Sequence, residues 1–326
     1  MLKGAKDEGF RTLIICERKR EGLYRRFEFI DVYLMVDGFP DVTRGSVVSE
    51  LKKRDAIIIP HGTLISEVGV DEVEDKLDVP IFGSRRILRW EADRNRKERL
   101  MDESGIRTPE SFRTPEEIDR LAIVKLHGAR GGRGYFLANS PSSYRRNLRR
   151  LEKSGTVPKG AQLYIQEYVA GVPVYLQFFY SPIRQSLELM GVERRYETNV
   201  DALGRIPASM QDGLTPSYVV VGNMPLVLRE SLLDEVYRLG EGFVRAARKL
   251  VPPGIIGPFC IEGVYNEEAK FVGFEFSARI VAGTNLYISG SPYSDLIHDV
   301  PMSAGRRIAV EVREAIKSGS LAKVLT

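Results

Sequence analysis

Two glutamates lie in neighbouring apolar segments near the end of the chain, Glu262 within residues 259–265 and Glu275 within residues 271–276. The polar residues 266–268 between the two strand-like segments predict a hairpin. A carboxylate among apolar neighbours is costly to bury without a partner. Two carboxylates that face each other repel unless a cation lies between them, so the pair is a candidate metal site. The alternative, equally supported by this stretch, is a solvated face of an exposed hairpin.

A lysine and a glycine-rich segment indicate a second kind of chemistry. Lys125 ends the apolar segment 121–125, where its ammonium group needs an anionic partner. Residues 127–135 contain four glycines and two arginines, whose amides and guanidinium groups can surround phosphates. The segment is not a P-loop, because no Gly-Lys-Ser/Thr ends it and no helix follows directly. We interpret it as a hairpin that covers a nucleotide; the alternative is an unliganded glycine-rich hairpin.

Polar side chains also follow other predicted strands. His61 and Thr63 come directly after the buried segment 56–60, at the carboxyl end where α/β sheets place their ligand sites. As a bare motif this loop is a weak signal, because a histidine at a strand end is more often a structural residue. Residues 193–201 place adjacent arginines beside acids, a pattern that marks anion sites but also occurs in surface loops.

The surrounding elements predict a chain of several domains. At 326 residues the chain exceeds the usual size of one domain. In the first part we expect helices at 2–8, 47–54 and 68–77 and strands at 12–16, 28–34, 56–60 and 79–82. Beyond it we expect helices at 91–104, 143–153, 230–249 and 306–318 and strands at 121–125, 135–138, 162–167, 174–180 and 186–192. Because doubly wound domains normally open with a strand and this chain opens within a helix, we expect its natural start to be missing.

Composition narrows the possible partners and locations. A net charge of +4, from 48 basic and 44 acidic residues, does not indicate nucleic acid but suits an anionic small substrate. No apolar segment approaches the roughly 20 residues of a membrane span, and no signal peptide opens the sequence. We therefore expect a cytoplasmic protein without membrane or nucleic-acid partners. Cys16 and Cys260 lie in apolar segments, which predicts buried free thiols.

The order of these features resembles the ATP-grasp superfamily and, more narrowly, the archaeal PurP-type synthetases. The resemblance extends over the whole chain, and its most specific segments are residues 60–63, 128–135, 194–197 and 274–285. It implies α/β and α+β architecture: an N-terminal doubly wound (pre-ATP-grasp) domain at 1–90, then an ATP-grasp small subdomain at 91–170 and large subdomain at 171–326. Two departures are an absent N-terminal strand with its Gly-Ser-His-Ser-like loop, and Ser277 where many ATP-grasp enzymes have a ligating asparagine.

The resemblance also assigns roles to individual residues. The expected ATP contacts are Lys97, Lys125, Gly131, Gly132, Gly134, Gln166, Glu167, Val169 and Glu197, with Arg94 as an alternative to Lys97. In this assignment the backbones of Gln166 and Val169 pair with adenine. The expected substrate contacts are His61, Thr63 and Asn223, and Arg195 and Arg279 are the expected catalytic cations. Glu262 and Glu275 would hold Mg²⁺ or Mn²⁺.

The implied activity is that of a carbon–nitrogen ligase forming ADP and phosphate. Such enzymes use ATP and formate to convert aminoimidazole carboxamide ribotide (AICAR) to its formyl derivative (FAICAR) through formyl phosphate, in purine (IMP) biosynthesis. The family also implies a homo-oligomer. Two alternatives remain open from the sequence: an ATP-grasp paralogue that joins a different carboxylate and amine, and an ATP-binding regulatory protein without turnover.

Overall fold

The computed structural model describes residues 1–126, 135–214 and 216–326, whose strands form three sheets. The α-helices are α1 (Leu2–Asp7), α2 (Glu21–Tyr24), α3 (Gly45–Lys52), α4 (Val70–Asp75), α5 (Arg85–Ala92), α6 (Arg94–Glu103), α7 (Pro141–Lys153), α8 (Val200–Leu203), α9 (Leu233–Leu250) and α10 (Ala304–Lys317). The strands are β1 (Leu13–Glu17), β2 (Val32–Val36), β3 (Ser111–Phe112), β4 (Ala122–Leu126), β5 (Phe136–Ala138), β6 (Leu163–Glu167), β7 (Val172–Ser181), β8 (Ser186–Glu197), β9 (Val220–Pro225), β10 (Gly257–Tyr265) and β11 (Phe271–Ser277). Short 3₁₀ turns and one π-helical turn, Leu64–Val68, connect them.

The N-terminal part is built on parallel strand pairing. Strands β1 and β2 pair in parallel over their full length. The expected strands at 56–60 and 79–82 are reduced to isolated bridges: Ile58 pairs in parallel with Ile81, and Phe82 pairs antiparallel with Leu325. The expected strand at 28–34 begins only at Val32. The carboxylate of Asp31 just before it accepts hydrogen bonds from the Thr12 amide at 2.8 Å and the Thr12 hydroxyl at 3.2 Å, which hold the preceding turn.

The predicted helix at 91–104 is wrong at its start. The structure ends α5 at Ala92 and begins α6 at Arg94. Between them Asp93 has an extended backbone, and its side chain accepts a hydrogen bond from the amide of Arg96. Aspartate favours this N-cap position because it satisfies an amide that has no partner inside the helix. Glu91 therefore belongs to α5 and is buried.

The second sheet, in the order β3-β6-β4-β5, is antiparallel and covered by α7. Its core contains Phe112, Val124, Phe136 and Ile165. The third sheet, in the order β11-β10-β7-β8-β9, is also antiparallel. The three sheets lie within the three predicted domains, whose boundaries remain a prediction.

The five-stranded sheet packs on α9 through aromatic side chains. The ring of Phe259 stacks between those of Phe178 and Phe243, with centroid distances of 5.1 Å to each. The residues from 193 to 197 are not a surface loop, because β8 continues to Glu197 and pairs there with β9. Cys16 and Cys260 are buried free thiols, as expected. None of the helices in the described ranges combines the length and apolarity needed to cross a membrane.

Candidate active site

A cleft of about 660 Å³ is lined by residues from both antiparallel sheets, from α5 and α6 and from the loop after the Ile58 bridge. Most of the predicted site residues line it: Thr63, Lys97, Lys125, Gln166, Glu167, Val169, Arg195, Glu197, Glu262, Glu275 and Arg279. Arg94 also lines it. His61 and Asn223 are not among the lining residues, and Gly131, Gly132 and Gly134 lie outside the described residues.

The two glutamates of the hairpin lie directly opposite each other. Glu262 in β10 is the register partner of Glu275 in β11. Each carboxylate already pairs with a cation of the chain: Arg195 Nη1 lies 3.0 Å from Glu262 Oε2, and Lys97 Nζ contacts Glu275 Oε1. These cations offset the mutual repulsion that the sequence predicted. Ser277 also donates a hydrogen bond to Glu262 at 3.2 Å.

The donor set fits a divalent ion that is shared with phosphates. Among the described residues there is no group of three or more histidine, cysteine or acidic side chains that could hold a metal. Mg²⁺ characteristically takes one or two carboxylates and completes its shell with water and substrate phosphates. Burial tends to raise the pKa of Glu275, but Lys97, Lys125 and Arg94 together outweigh it and lower the pKa to about 2. Glu275 is therefore ionised and able to act as a ligand at neutral pH.

Lys125 enters the cleft without a carboxylate partner in the described part of the chain. Its Nζ donates to Gln166 Oε1 at 3.0 Å and lies 5.4 Å from the ring centroid of Phe274 and 6.0 Å from that of Tyr135. Burial lowers the pKa of Lys125 to about 8. Lys125 therefore has a neutral hydrogen-bond partner and could accept an anionic ligand.

The end of β6 forms one wall of the cleft. Gln166 lies inside the sheet, opposite Ser111 on one side and Ile123 on the other. Gln166 lines the cleft and its side chain accepts a hydrogen bond from Lys125, while the expected pairing of its backbone with adenine stays a prediction. Val169 lies beyond the strand end. Glu167 exchanges hydrogen bonds with the backbone of Glu110, at 2.7 Å through its amide and 3.2 Å through its carboxylate.

Strand β8 directs a second set of charges into the cleft. Arg195 stacks on Tyr175, with its Cζ 3.9 Å from the ring centroid. Burial, reinforced by Asp201, raises the pKa of Glu197 to about 7. Asn223 lies opposite Arg195 in β9, and its amide donates to the buried Glu193. The side chain of Asn223 is therefore bonded to Glu193, and Asn223 does not line the cleft.

The loop at His61 lies against Arg279. His61 bridges to Ile280, and its Nδ1 accepts a hydrogen bond from the amide of Thr63 at 3.2 Å. Burial, followed by the charge of Arg279, lowers the pKa of His61. The guanidinium of Arg279 pairs with Glu91 at 2.8 Å. The sequence prediction overlooked Glu91, although an acid after the apolar residues of helix α5 is a recognisable signal of a buried charge.

Comparison with known proteins identifies the relatives of this chain. Two family models match, “Domain of unknown function (DUF1297)” over residues 143–326 and “Protein of unknown function (DUF1246)” over residues 1–112. The 5-formaminoimidazole-4-carboxamide-1-(beta)-D-ribofuranosyl 5′-monophosphate synthetase of Cenarchaeum symbiosum is 53% identical over 328 residues, covering 100% of this chain and 96% of that protein.

Solved structures agree with the predicted fold. The IMP biosynthesis protein PurP from Thermococcus kodakaraensis has a TM-score of 0.78 and 28% identity, covering 100% of this chain and 96% of that one. The MgADP-bound biotin carboxylase domain of the Hydrogenobacter thermophilus 2-oxoglutarate carboxylase has a TM-score of 0.66 and 18% identity, covering 95% and 66%. The second likeness concerns the fold alone, which is that of the ATP-grasp enzymes. The chain therefore belongs to the family of archaeal PurP-type 5-formaminoimidazole-4-carboxamide-1-(beta)-D-ribofuranosyl 5′-monophosphate synthetases.

Proposed function

We infer that this protein is a ligase that uses ATP and formate to convert AICAR to FAICAR, with ADP and phosphate as the other products, in IMP biosynthesis. The observation that carries this inference is the 53% identity, over the full chain, to a synthetase that bears the name of that product. The cleft supports it, because it combines a carboxylate pair with Lys125 and several further cations.

In the first step an oxygen of formate attacks the γ-phosphorus of ATP, and the bond between that phosphorus and the bridging oxygen to ADP breaks. The products are formyl phosphate and ADP. Lys125 and Lys97 would bind the phosphate oxygens and stabilise the charge of the transferring group. Mg²⁺ or Mn²⁺, held by Glu262 and Glu275 together with phosphate oxygens, would neutralise part of the triphosphate charge.

In the second step the 5-amino group of AICAR attacks the formyl carbon, the carbon–oxygen bond to phosphate breaks, and the proton lost by the amine ends on the released phosphate. Arg195 and Arg279 would hold the phosphate oxygens while this happens. Thr63 lines the cleft together with Arg279, and His61 lies behind it against Ile280. These two residues and Asn223 are the proposed contacts of the acceptor nucleotide. Formyl phosphate is labile in water, so a closed cleft favours its transfer to the amine.

The roles of the remaining site residues are also proposals. The backbones of Gln166 and Val169 would pair with adenine, and Glu167 and Glu197 would contact the base or ribose. Gly131, Gly132 and Gly134 would close over the phosphates. We also propose a homo-oligomer in the cytoplasm, with domains at 1–90, 91–170 and 171–326.

The decisive experiment measures ADP release by the purified protein with ATP and Mg²⁺, adding formate and AICAR separately and together. Formation of ADP and FAICAR only with both substrates is the expected result. ADP formation with other acids or amines instead would favour the paralogue. Tight ATP binding without any turnover would favour the regulatory protein.

A further inference from the structure

Glu91 is a buried carboxylate of the cleft that has no part in the reaction described above. It lies in the last turn of α5, and its side chain is only 5% exposed. Its Oε1 accepts from Arg279 Nη2 at 2.8 Å, and its Oε2 accepts from the backbone amide of Ala278 at 2.8 Å. Both partners follow directly after β11, the strand that carries Glu275. Glu91 therefore fixes the end of the metal-site strand to α5.

The guanidinium of Arg279 is held on several sides. Besides Glu91, it donates from Nη1 to the carbonyl of Ile280 at 3.0 Å. One face lies against Gly62, where an added Cβ would be 3.4 Å from Nη2 and 3.5 Å from Cζ. The group is thus held by the charge of Glu91 and the carbonyl of Ile280.

Arg279 nevertheless keeps hydrogen-bonding capacity for an anion. A guanidinium has five N–H groups. In the described structure the buried Nε has no hydrogen-bond partner, and Nη1 and Nη2 each carry a second N–H beyond the bonds named above. An unpaired buried donor is costly, and a bound oxyanion would satisfy it.

We propose that Glu91 is a positioning residue that holds the guanidinium of Arg279 in the orientation needed to bind formate and the acyl phosphate formed from it. This inference rests on the proposed function. Glu91 itself would repel a carboxylate, so it acts through Arg279. Because Arg279 is already oriented before the substrate arrives, its side chain loses less conformational entropy when the complex forms.

Glu91→Gln tests the proposal with almost no change of shape. An amide has one acceptor oxygen and an NH₂ group that meets donors, so it cannot serve both the guanidinium and the Ala278 amide. Loss of a charge-assisted hydrogen bond predicts a rise of about tenfold or more in the KM for formate. Affinity for ATP, measured by calorimetry, should change by less than about twofold.

Glu8→Gln is the matched control. Glu8 is a similarly buried carboxylate that pairs with Arg306 and Arg313. Glu8→Gln removes a buried negative charge that also pairs with arginine, but outside the cleft. The KM for formate should therefore stay at the wild-type value. A rise of the same size in both variants would assign Glu91 a merely structural role and overturn the proposal.

A double-mutant cycle with Arg279→Met separates positioning from direct action. If Glu91 works through Arg279, Glu91→Gln should add nothing to the formate KM of the Arg279→Met variant. Additive losses would overturn the proposal.

Glu91→Asp keeps the negative charge but withdraws it from Arg279 by one methylene group, and it decides the question if Glu91→Gln does not fold. It should raise the KM for formate while ATP affinity stays constant. An unchanged formate KM in that variant would count against the positioning role. These outcomes differ from failure of the proposed function, in which the wild-type protein would show no turnover dependent on formate and AICAR.

Discussion

The charge of Lys125 makes ATP binding depend on pH in a defined way. Its pKa in the free protein is about 8, lowered by burial from the ordinary 10.5. About nine-tenths of the lysine is charged at pH 7 and about one-tenth at pH 9, so the Kd for ATP should rise about tenfold between these values if phosphate requires the ammonium form. The bound phosphate restores the higher pKa. ATP binding at pH 9 should therefore take up close to one proton.

Calorimetry in two buffers of different ionisation enthalpy measures that uptake directly. Glu193 and Glu197, whose pKa values are raised to about 7, also titrate near neutrality, so the comparison needs a control variant. Lys125→Arg supplies it, because arginine stays charged throughout the range. The variant should show neither the proton uptake nor the tenfold loss. Equal proton uptake by wild type and variant at pH 9 would refute the assignment of Lys125 as the phosphate contact.

Two further predictions concern the metal pair and the fold. Glu275→Ala should reduce Mg-ATP-dependent turnover at least about 100-fold and leave the melting temperature nearly unchanged, whereas Glu268→Ala in the exposed turn should retain activity. Near-wild-type turnover of Glu275→Ala would remove the metal assignment. Arg307 is fully buried between Glu188 and Glu311, so Arg307→Met should lower the free energy of unfolding by about 3–5 kcal/mol in urea titrations. A loss below about 1 kcal/mol would contradict the importance of that network.

The hairpin with its two glutamates could be predicted from sequence because its signals are local. The apolar content of the two segments and the polar turn at Asn266 between them indicate two adjacent strands. That strand assignment places Glu262 in the first strand and Glu275 in the second. The structure confirms the hairpin and adds the register of Glu262 opposite Glu275. A bulge directly after Glu262 shifts the pairing by one residue, which no count along the sequence would reveal.

The partners of those acids could not be predicted in the same way. Lys97 is 178 residues from Glu275, and Glu91 is 187 residues from the amide of Ala278. Contacts of this separation depend on how α5 and α6 lie against the five-stranded sheet. The sequence identified the charged helix, but the N-cap at Asp93 decides that Glu91 and Lys97 belong to different helices. Tertiary placement therefore determines which charges enter the cleft.

The resulting charge arrangement links metal binding to nucleotide binding. Without ligands, Arg195 neutralises Glu262 and Lys97 neutralises Glu275. A divalent ion that binds both carboxylates must weaken these two pairs, which leaves an arginine and a lysine without their counter-ions at a partly buried position. Uncompensated charges of this kind are unfavourable. The triphosphate supplies the missing negative charge to both cations and oxygen ligands to the metal. We therefore expect metal and ATP to bind favourably as a pair, and the carboxylate hairpin alone to be a poor metal site.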